Sequence, residues 1–245
     1  MVLKSRDISL AVVIPMLNEE RGVDKCVETV VKILPTLPVK AQLYVVNDGS
    51  TDKTPELLNK LTKKHPRWLS VLHHTRNLGY GAGLQTGARQ AQADGYAYCA
   101  FMDSDLTNDP ADLPRFISKL KESGADVVKA TRYSAGGGPK GVPFKRVIVS
   151  VVGNWIARMC FRMGIHDYTN GFRIVRSNLI ASIDYKEKGF ASIMEEMYNL
   201  KKMKAYCVEL PVVLTSRIDT DTHFRYTFKQ FWNYLKYPLK ACLIF

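Results

Sequence analysis

The chain has 245 residues, of which 46% are hydrophobic and 24% charged, with 11 Pro and 16 Gly. This is ordinary globular composition for one large domain, or one domain with an appendage, and it excludes wholesale disorder and collagen-like or low-complexity architecture. Lys plus Arg total 35 against 23 for Asp plus Glu, a formal charge of +12, so an anionic partner is expected: nucleic acid, a phosphorylated small molecule or a membrane surface.

Apolar runs alternate with helical patterns along the chain. Ile8–Ile14 is a continuous β-rich run stopped by Pro15, and Glu20–Leu34 places Val23, Val27, Val30, Val31 and Leu34 at helical spacing. Gln42–Val46 reads as a second strand, ending in Asn47-Asp48-Gly49-Ser50. Thr54-Pro55-Glu56 starts a helix with Leu57, Leu58 and Leu61 on its buried face. Leu69–Leu72 is a short strand, Gly83–Ala93 a small-residue helix, and Tyr96–Met102 a strand ending in Asp103-Ser104-Asp105. Asp109–Lys121 is helical and Asp126–Thr131 a strand. Strands separated by helices read as βαβ units of a parallel sheet, buried on both faces.

The second half is less regular. Ser134–Gly141 (SAGGGPKG) has the composition of a mobile loop, and three consecutive glycines between two basic residues suit a lid. Val147–Met163 is a largely apolar helix, Phe172–Val175 a short strand and Ala191–Lys202 a helix. Cys207–Leu214 is an apolar strand whose Pro211 suggests a sheet edge.

Charge is distributed unevenly. Val127 to His166 holds no acid and seven basic residues, and no acid follows Asp221. Glu19, Asp48, Asp103 and Asp105 lie instead in the first half, at ends of apolar runs. Five scattered Cys with no CxxC pair argue against a zinc ribbon and fit core thiols in a reducing compartment. No secretory leader is evident, and the longest apolar stretch, Val147 to Phe161, is broken by Asn154 and Arg158, where a bilayer needs about 20 apolar residues. A cytosolic protein, or one on the cytosolic face of a membrane, is expected.

Ligands of parallel sheets bind beyond the carboxyl ends of the strands, and the motifs sit there. Asp103 and Asp105, at i and i+2, can converge on one hard cation, which neutralises a diphosphate leaving group; the alternative is a capped turn. Asp48 can accept from a base N–H, or Asn47–Asp52 can be a well-capped strand–turn–helix connection. Gly81, Gly83 and Gly87 are spaced GxGxxxG and do not follow the first strand, so a dinucleotide loop is not supported. The small residues let the helix approach a ligand or the sheet closely. His73-His74 lacks a spaced metal-binding partner.

Taken in order, VIPMLNEE, VNDGSTDKT, RNLGYGAGLQTGA, MDSDLTNDPADLP, TRYSAGGG, DYTNGFRIVRS, GFASIMEEM and VELPVVLTSR closely resemble the family 2 glycosyltransferases of GT-A fold, most of all the dolichol- or polyprenyl-phosphate mannosyltransferase type, over about Ile8 to Arg217. The resemblance implies an α/β domain with a mostly parallel central sheet flanked by helices, here 1–222, followed by a basic aromatic tail, 223–245. It implies that Pro15, Leu17, Glu19, Val46 and Asp48 hold the nucleotide, together with Asp103, Ser104 and Asp105. Asp103, Asp105 and Thr107 would meet the metal, Mg2+ or Mn2+. Arg132, Lys145, Arg146 and Arg217 would contact donor or acceptor phosphate, and Glu195 matches an acid after the GFA segment. Leu17 stands in place of a frequent Tyr, and Asn47 in place of the first Asp of DDGS. The absence of a QxxRW segment argues against a processive synthase.

The implied reaction moves a sugar, mannose from GDP-mannose, onto a polyprenyl or dolichyl phosphate with inversion. An ionised phosphate needs no strong base, so catalysis reduces to positioning and charge stabilisation. One rival is a transferase acting on a sugar or protein hydroxyl, or using a UDP-sugar; a hydroxyl acceptor needs a base, for which Asp167 is the candidate, unless it only caps Thr169 or Asn170. The other rival, a nucleic-acid-binding module, has the charge but no recognised motif. Finally, Phe224–Phe245 is acid-free, basic and aromatic, as expected of a helix in the lipid interface; the alternative is a docked terminal helix. A spanning segment could follow in a longer form or come from a small membrane-anchoring partner subunit. Were the tail not to bind lipid, Val147–Met163 would remain as the candidate.

Overall fold

The computed structural model describes residues 8–139, 144–215 and 228–244. The first half runs β1 (Ser9–Met16), α1 (Val23–Ile33), β2 (Lys40–Asn47), α2 (Thr54–Lys64), β3 (Leu69–His73), α3 (Tyr80–Ala93) and β4 (Tyr98–Phe101). There follow α4 (Leu113–Ser123), β5 (Val127–Thr131), β6 (Gly138–Pro139), α5 (Phe144–Phe161), β7 (Arg173–Arg176), α6 (Ser177–Ala181), α7 (Ser192–Lys202), β8 (Cys207–Pro211), β9 (Val213–Leu214) and α8 (Phe228–Ala241).

Seven strands form one sheet in the order β3-β2-β1-β4-β7-β5-β8. Six are parallel, and β7 runs against both its neighbours, β4 and β5. The sheet is therefore mostly parallel, as expected, with one inserted strand that a reading in βαβ units does not anticipate. Among the described residues β8 pairs only with β5 and takes the edge, the position expected from Pro211. Gly138 and Pro139, within the segment expected as a mobile loop, pair instead with Val213 and Leu214 in the β6–β9 ladder.

Successive strand residues face opposite layers. Leu10, Val12 and Ile14 pack with α1, α2 and α4, while Ala11 and Val13 pack with α3, α5, α7 and α8. The glycines of α3 allow a close approach to the sheet: a Cβ on Gly87 would lie 2.3 Å from Val13 Cγ1, and one on Gly83 3.0 Å from Pro15 Cβ. The small-residue helix thus serves packing. Four of the five Cys are buried and only Cys242 is exposed, in keeping with core thiols.

Topology fixes where the site can be. The carboxyl ends of β1, β2, β4 and β5 share one sheet edge. Because β7 is antiparallel, its beginning lies on that same edge, and it brings the preceding 167–171 segment there.

Candidate active site

Asp103, Ser104 and Asp105 follow β4, half-buried. The Tyr80 hydroxyl, in the first turn of α3, donates to Asp103 Oδ1 at 2.9 Å. Gly171, just before β7, backs onto the same carboxylate: a Cβ there would lie 2.8 Å from Asp103 Oδ2. Ser104 Oγ donates to Glu19 Oε1 at 3.0 Å and so ties the β1 loop to the acidic pair. Asp105 Oδ1 accepts from both the backbone N–H (3.0 Å) and the hydroxyl (2.9 Å) of Thr107. Thr107 is thereby placed as an orienter of Asp105.

Burial pushes up the thiol of Cys26, in α1, and the charges of Asp105, Glu19 and Asp103 push it further. Among the described residues, no three His, Cys, Asp or Glu side chains form a set that holds an ion by itself. A hard cation held by one or two carboxylates and substrate phosphates needs no such cage. The Asp103–Asp105 pair fits that mode of binding.

Pro15 and Val46 lie opposite each other in the β1–β2 register, and both are buried. Their side chains face α3: Gly83 adjoins Pro15, and Val46 Cγ2 lies 3.3 Å from where a Gly87 Cβ would be. Leu17, half-exposed, follows them. The loops after β1 and β2 are laced together: Asn18 N donates to Ser50 Oγ (2.9 Å), Thr51 N to Asn18 Oδ1 (2.8 Å) and Glu19 N to Thr54 Oγ1 (2.9 Å).

Asp48 is buried and heavily engaged. Its Oδ1 lies 2.7 Å from His74 Nδ1 and accepts from Leu78 N at 2.9 Å; its Oδ2 accepts from Gly79 N at 2.8 Å. An ionised carboxylate only accepts, so His74 Nδ1 carries a proton. Asp48 thus organises the loop before α3. Asn47, in place of the usual Asp, closes its own turn by accepting from Ser50 N at 3.1 Å.

Arg132, just past β5, is half-buried and pinned. Its Nε donates to Asp167 Oδ2 at 2.7 Å, and its Nη2 donates to Asp167 Oδ1 at 2.9 Å and Thr169 Oγ1 at 2.6 Å. Asp167 also accepts from Thr169 N and Asn170 N. Burial pushes the Asp167 carboxyl up, but the hydrogen bonds and charge of Arg132 win and hold it below the usual carboxylate range. The capping role considered for Asp167 is thus observed, and its carboxylate is occupied by donors from Arg132, Thr169 and Asn170. Glu195 is spent similarly on the backbone N–H groups of Lys186 and Glu187.

Two buried cations support the 169–171 turn from below. Lys129 Nζ donates to Asn170 O at 2.6 Å, and Arg173 donates to Gly171 O while pairing with Glu196. The side chains of Lys145 and Arg146, and the whole of Arg217, lie outside the described residues. A surface hollow of about 630 Å³ lies at the β8 edge, lined in part by Lys119, Arg162 and Glu209, and contains none of the site residues.

Sequence reasoning missed Tyr80, His74 and Gly171. Each is separated from its carboxylate in the chain and meets it only through sheet order. The one available signal was that Tyr80 and Gly171 fall inside the quoted motifs.

Residues 11–183 match the family model described as glycosyl transferase family 2. Polyprenol monophosphomannose synthase of Mycolicibacterium smegmatis is 30% identical over 209 residues, 84% of this chain and 77% of that protein. Dodecaprenyl-phosphate galacturonate synthase of Rhizobium johnstonii is 30% identical over 178 residues, 73% of this chain and 51% of that protein. Among solved structures, glucosyl-3-phosphoglycerate synthase from Mycobacterium tuberculosis, in complex with Mn2+, uridine diphosphate and glucosyl-3-phosphoglycerate, superposes with a TM-score of 0.67 at 19% identity, over 96% of this chain and 80% of that one. That likeness identifies the GT-A architecture of the sheet and its flanking helices. Ordered motifs, the acidic pair beyond β4 and a match across most of the chain make this protein a glycosyltransferase belonging to glycosyl transferase family 2.

Proposed function

We propose that this chain transfers a hexose, mannose from GDP-mannose, onto the phosphate of a polyprenyl or dolichyl lipid, inverting the anomeric centre. The observation that carries the reading is the state of Asp167: the carboxylate beside Arg132 is consumed by donors. An acceptor hydroxyl would need a base there, whereas a phosphate monoester is already ionised at neutral pH. The relatives named for polyprenol monophosphomannose and dodecaprenyl-phosphate galacturonate synthesis support the acceptor class.

The acceptor phosphate oxygen attacks the anomeric carbon. The bond from that carbon to the diphosphate breaks, and its electron pair leaves on the diphosphate oxygen. Asp103 and Asp105 would hold Mg2+ or Mn2+, a Lewis acid that neutralises the departing diphosphate. Tyr80 and Gly171 fix Asp103, and Thr107 fixes Asp105. Glu19, Asp48, Leu17 and the backbone at Pro15 and Val46 are assigned to the nucleotide. Arg132, preset by Asp167, presents a planar fork to phosphate, and Lys145, Arg146 and Arg217 are its proposed companions. The catalytic unit is assigned to 1–222. The protein is placed peripherally on a cytosolic membrane face, with the 223–245 tail, or a small anchoring subunit, contributing to attachment. Among the described residues, no helix is long and apolar enough to cross a membrane.

A second donor is favoured by the galacturonate-synthase relative, whose name gives a different sugar at the same 30% identity over a shorter stretch. UDP-glucose, UDP-galacturonate and UDP-N-acetylglucosamine therefore join GDP-mannose in the test. Each is incubated with geranylgeranyl phosphate and Mn2+ or Mg2+, and products are read by mass spectrometry. A mannosyl phosphate lipid, abolished by chelator, is the expected product. Transfer to hydroxyl acceptors alone would overturn the reading.

A further inference from the structure

Residues 185–190 belong to neither a helix nor a strand, yet they back both supports of Asp103. On one side they wall the start of α3. A Cβ on Gly79 would lie 2.5 Å from Lys188 O, and one on Gly81 2.4 Å from Glu187 O. Glycine at these two positions lets the backbones touch. Tyr80, between them, packs on Phe190 with ring centroids 4.9 Å apart and donates to Asp103 Oδ1 at 2.9 Å. On the other side the Tyr185 hydroxyl donates to Glu196 Oε2 at 2.6 Å, and Glu196 pairs with Arg173, which donates to Gly171 O. Gly171 in turn backs onto Asp103 Oδ2. Close-packed atoms transmit displacement, so a shift of 187–188 reaches Tyr80 directly.

A segment without a backbone ladder is placed by side chains. Glu195 of α7 accepts from Lys186 N at 2.9 Å and from Glu187 N at 2.8 Å. A second hold comes from α8, which packs against α7. Lys236 Nζ pairs with Glu187 Oε1, and the Tyr237 hydroxyl donates to the same oxygen at 3.2 Å. Burial, then the charges of Glu195 and Glu187, push the Tyr237 hydroxyl far above its usual range, so it remains a donor. The Tyr237 ring lies in the core, 5.9 Å from that of Tyr198, and Ala241 O accepts from Lys201 Nζ at 2.9 Å. The Glu187 side chain is 10% exposed and that of Lys236 28%. Removing one partner of such a pair leaves the other charge buried and uncompensated. The Glu187 carboxylate then regains water only by drawing its own segment outward.

We infer that Lys236 and Tyr237 are positioning residues for Asp103. Helix α8 holds Glu187, the 187–190 stretch holds Tyr80, and Tyr80 holds the carboxylate assigned to the metal. The tail therefore completes the unit assigned to 1–222 from outside it. The inference rests on the reading of Asp103 as a metal ligand, and it is independent of the sugar and of the acceptor.

The test uses the full chain and reads Mn2+ affinity by electron paramagnetic resonance in the presence of GDP, or of UDP where the donor assay selects a UDP-sugar. Lys236→Met keeps the apolar stem and removes the charge. It lowers Mn2+ affinity by about tenfold, the scale of a charged hydrogen bond. Nucleotide affinity without metal does not pass through Asp103 and stays at the wild-type value, whereas a general loosening of the fold would lower both. In a Tyr80→Phe background Lys236→Met costs less than about a further twofold, because residues that act through one another are not additive. Should Lys236→Met fail to fold, Tyr237→Phe keeps the ring, lowers Mn2+ affinity by about fivefold and enters the same cycle with Tyr80→Phe. Wild-type Mn2+ affinity in these tail variants, or losses that multiply in full with that of Tyr80→Phe, overturns the inference. Asp103→Asn separates the two readings. If it loses Mn2+ affinity and the tail variants do not, the inference alone falls; if it binds Mn2+ as wild type does, the metal reading of Asp103 falls and takes the inference with it.

Discussion

Arg132 and Asp167 meet through a two-pronged pair, Nε to Oδ2 at 2.7 Å and Nη2 to Oδ1 at 2.9 Å. The acid is fully buried and the Arg132 side chain partly so. Arg132 is therefore aimed before any phosphate arrives. Asp167→Asn keeps the shape but leaves a partly buried cation without its counter-charge, at an expected cost of ~3 kcal/mol in urea unfolding. The KM for prenyl phosphate is expected to rise about tenfold, with a smaller effect on the KM for the sugar nucleotide. The pH dependence has a definite sign. The folded-state pKa of Asp167 lies below its unfolded value, so its contribution is full above about pH 4 and lost as pH falls through the folded-state value. Wild type should lose this increment on acidification and Asp167→Asn should not. Parallel stability curves for the two proteins would refute the pairing.

Asp105 carries the metal assignment. Its Oδ1 takes both Thr107 donors, so removing the carboxylate frees a short turn and leaves the strand intact. Asp105→Ala should abolish Mn2+-dependent binding of GDP-mannose in calorimetry while the melting temperature stays close to that of wild type. Wild-type donor affinity in this variant would remove Asp105 from the metal site.

Tyr80→Phe isolates a single hydrogen bond, because the ring keeps its packing on Phe190 at 4.9 Å between centroids. The lost hydroxyl donates to a charged acceptor, Asp103, a class of bond worth about 1.5–3 kcal/mol. A fall in kcat of about tenfold or more is expected, with thermal stability little changed. A variant with normal kcat would mean that Asp103 does not need Tyr80 to hold its orientation.

Most of the sheet was legible because its signals are local. Ile8–Ile14 and Gln42–Val46 are continuous apolar runs, and both occur as strands with the expected motif at the carboxyl end. The antiparallel course of β7 was not legible, since direction is decided by which edges are vacant when the chain returns from α5 and not by the residues of a four-residue strand. That strand places Gly171 against Asp103 and Asp167 against Arg132, so the contacts of the second half escaped the sequence as well. His74 illustrates the same limit: it reaches Asp48 only because β3 lies beside β2. The two inward-pointing polar residues of α5, which sit beside buried Ala157 and Phe161, were hidden for a different reason. Ser150 and Asn154 look like interruptions in an apolar run until Thr169 and Tyr133 are seen opposite them.

Gly87→Ala probes the seating of α3. The new methyl would lie 2.3 Å from Val13 Cγ1 and 3.3 Å from Val46 Cγ2, and buried strand atoms have little room to yield. Overpacking of this kind costs about 1–3 kcal/mol. Val13→Ala in the same chain should restore part of the loss, which urea denaturation would read as a favourable coupling. Additive effects would mean that the two positions do not press on each other.

Lys129 gives the clearest alkaline dependence. It is fully buried in β5, and its amine is pushed down to about 8, first by burial and then by the charge of Arg173, with Asp167 and Glu196 acting the other way. The unfolded chain releases this proton near pH 10.4. Between about pH 8 and 10 the unfolded state therefore binds more protons than the folded one, and stability rises with pH by at most about 1.4 kcal/mol per unit from this group. Below about pH 8 the buried charge is a constant burden, offset by the hydrogen bond to Asn170 O. Lys129→Met removes both the charge and that bond. Other alkaline titrations are common to the two proteins, so the difference in urea stability between wild type and Lys129→Met isolates this amine. That difference should move in favour of wild type as pH rises from 8 to 10 and stay flat from 6 to 7. At pH 7, kcat of the variant should fall more than its stability, because the carbonyl that Lys129 holds belongs to the turn carrying Gly171 against Asp103. A flat difference across the alkaline range would mean that Lys129 keeps an ordinary amine in the fold, and equal kcat at pH 7 would detach the 169–171 turn from the metal site.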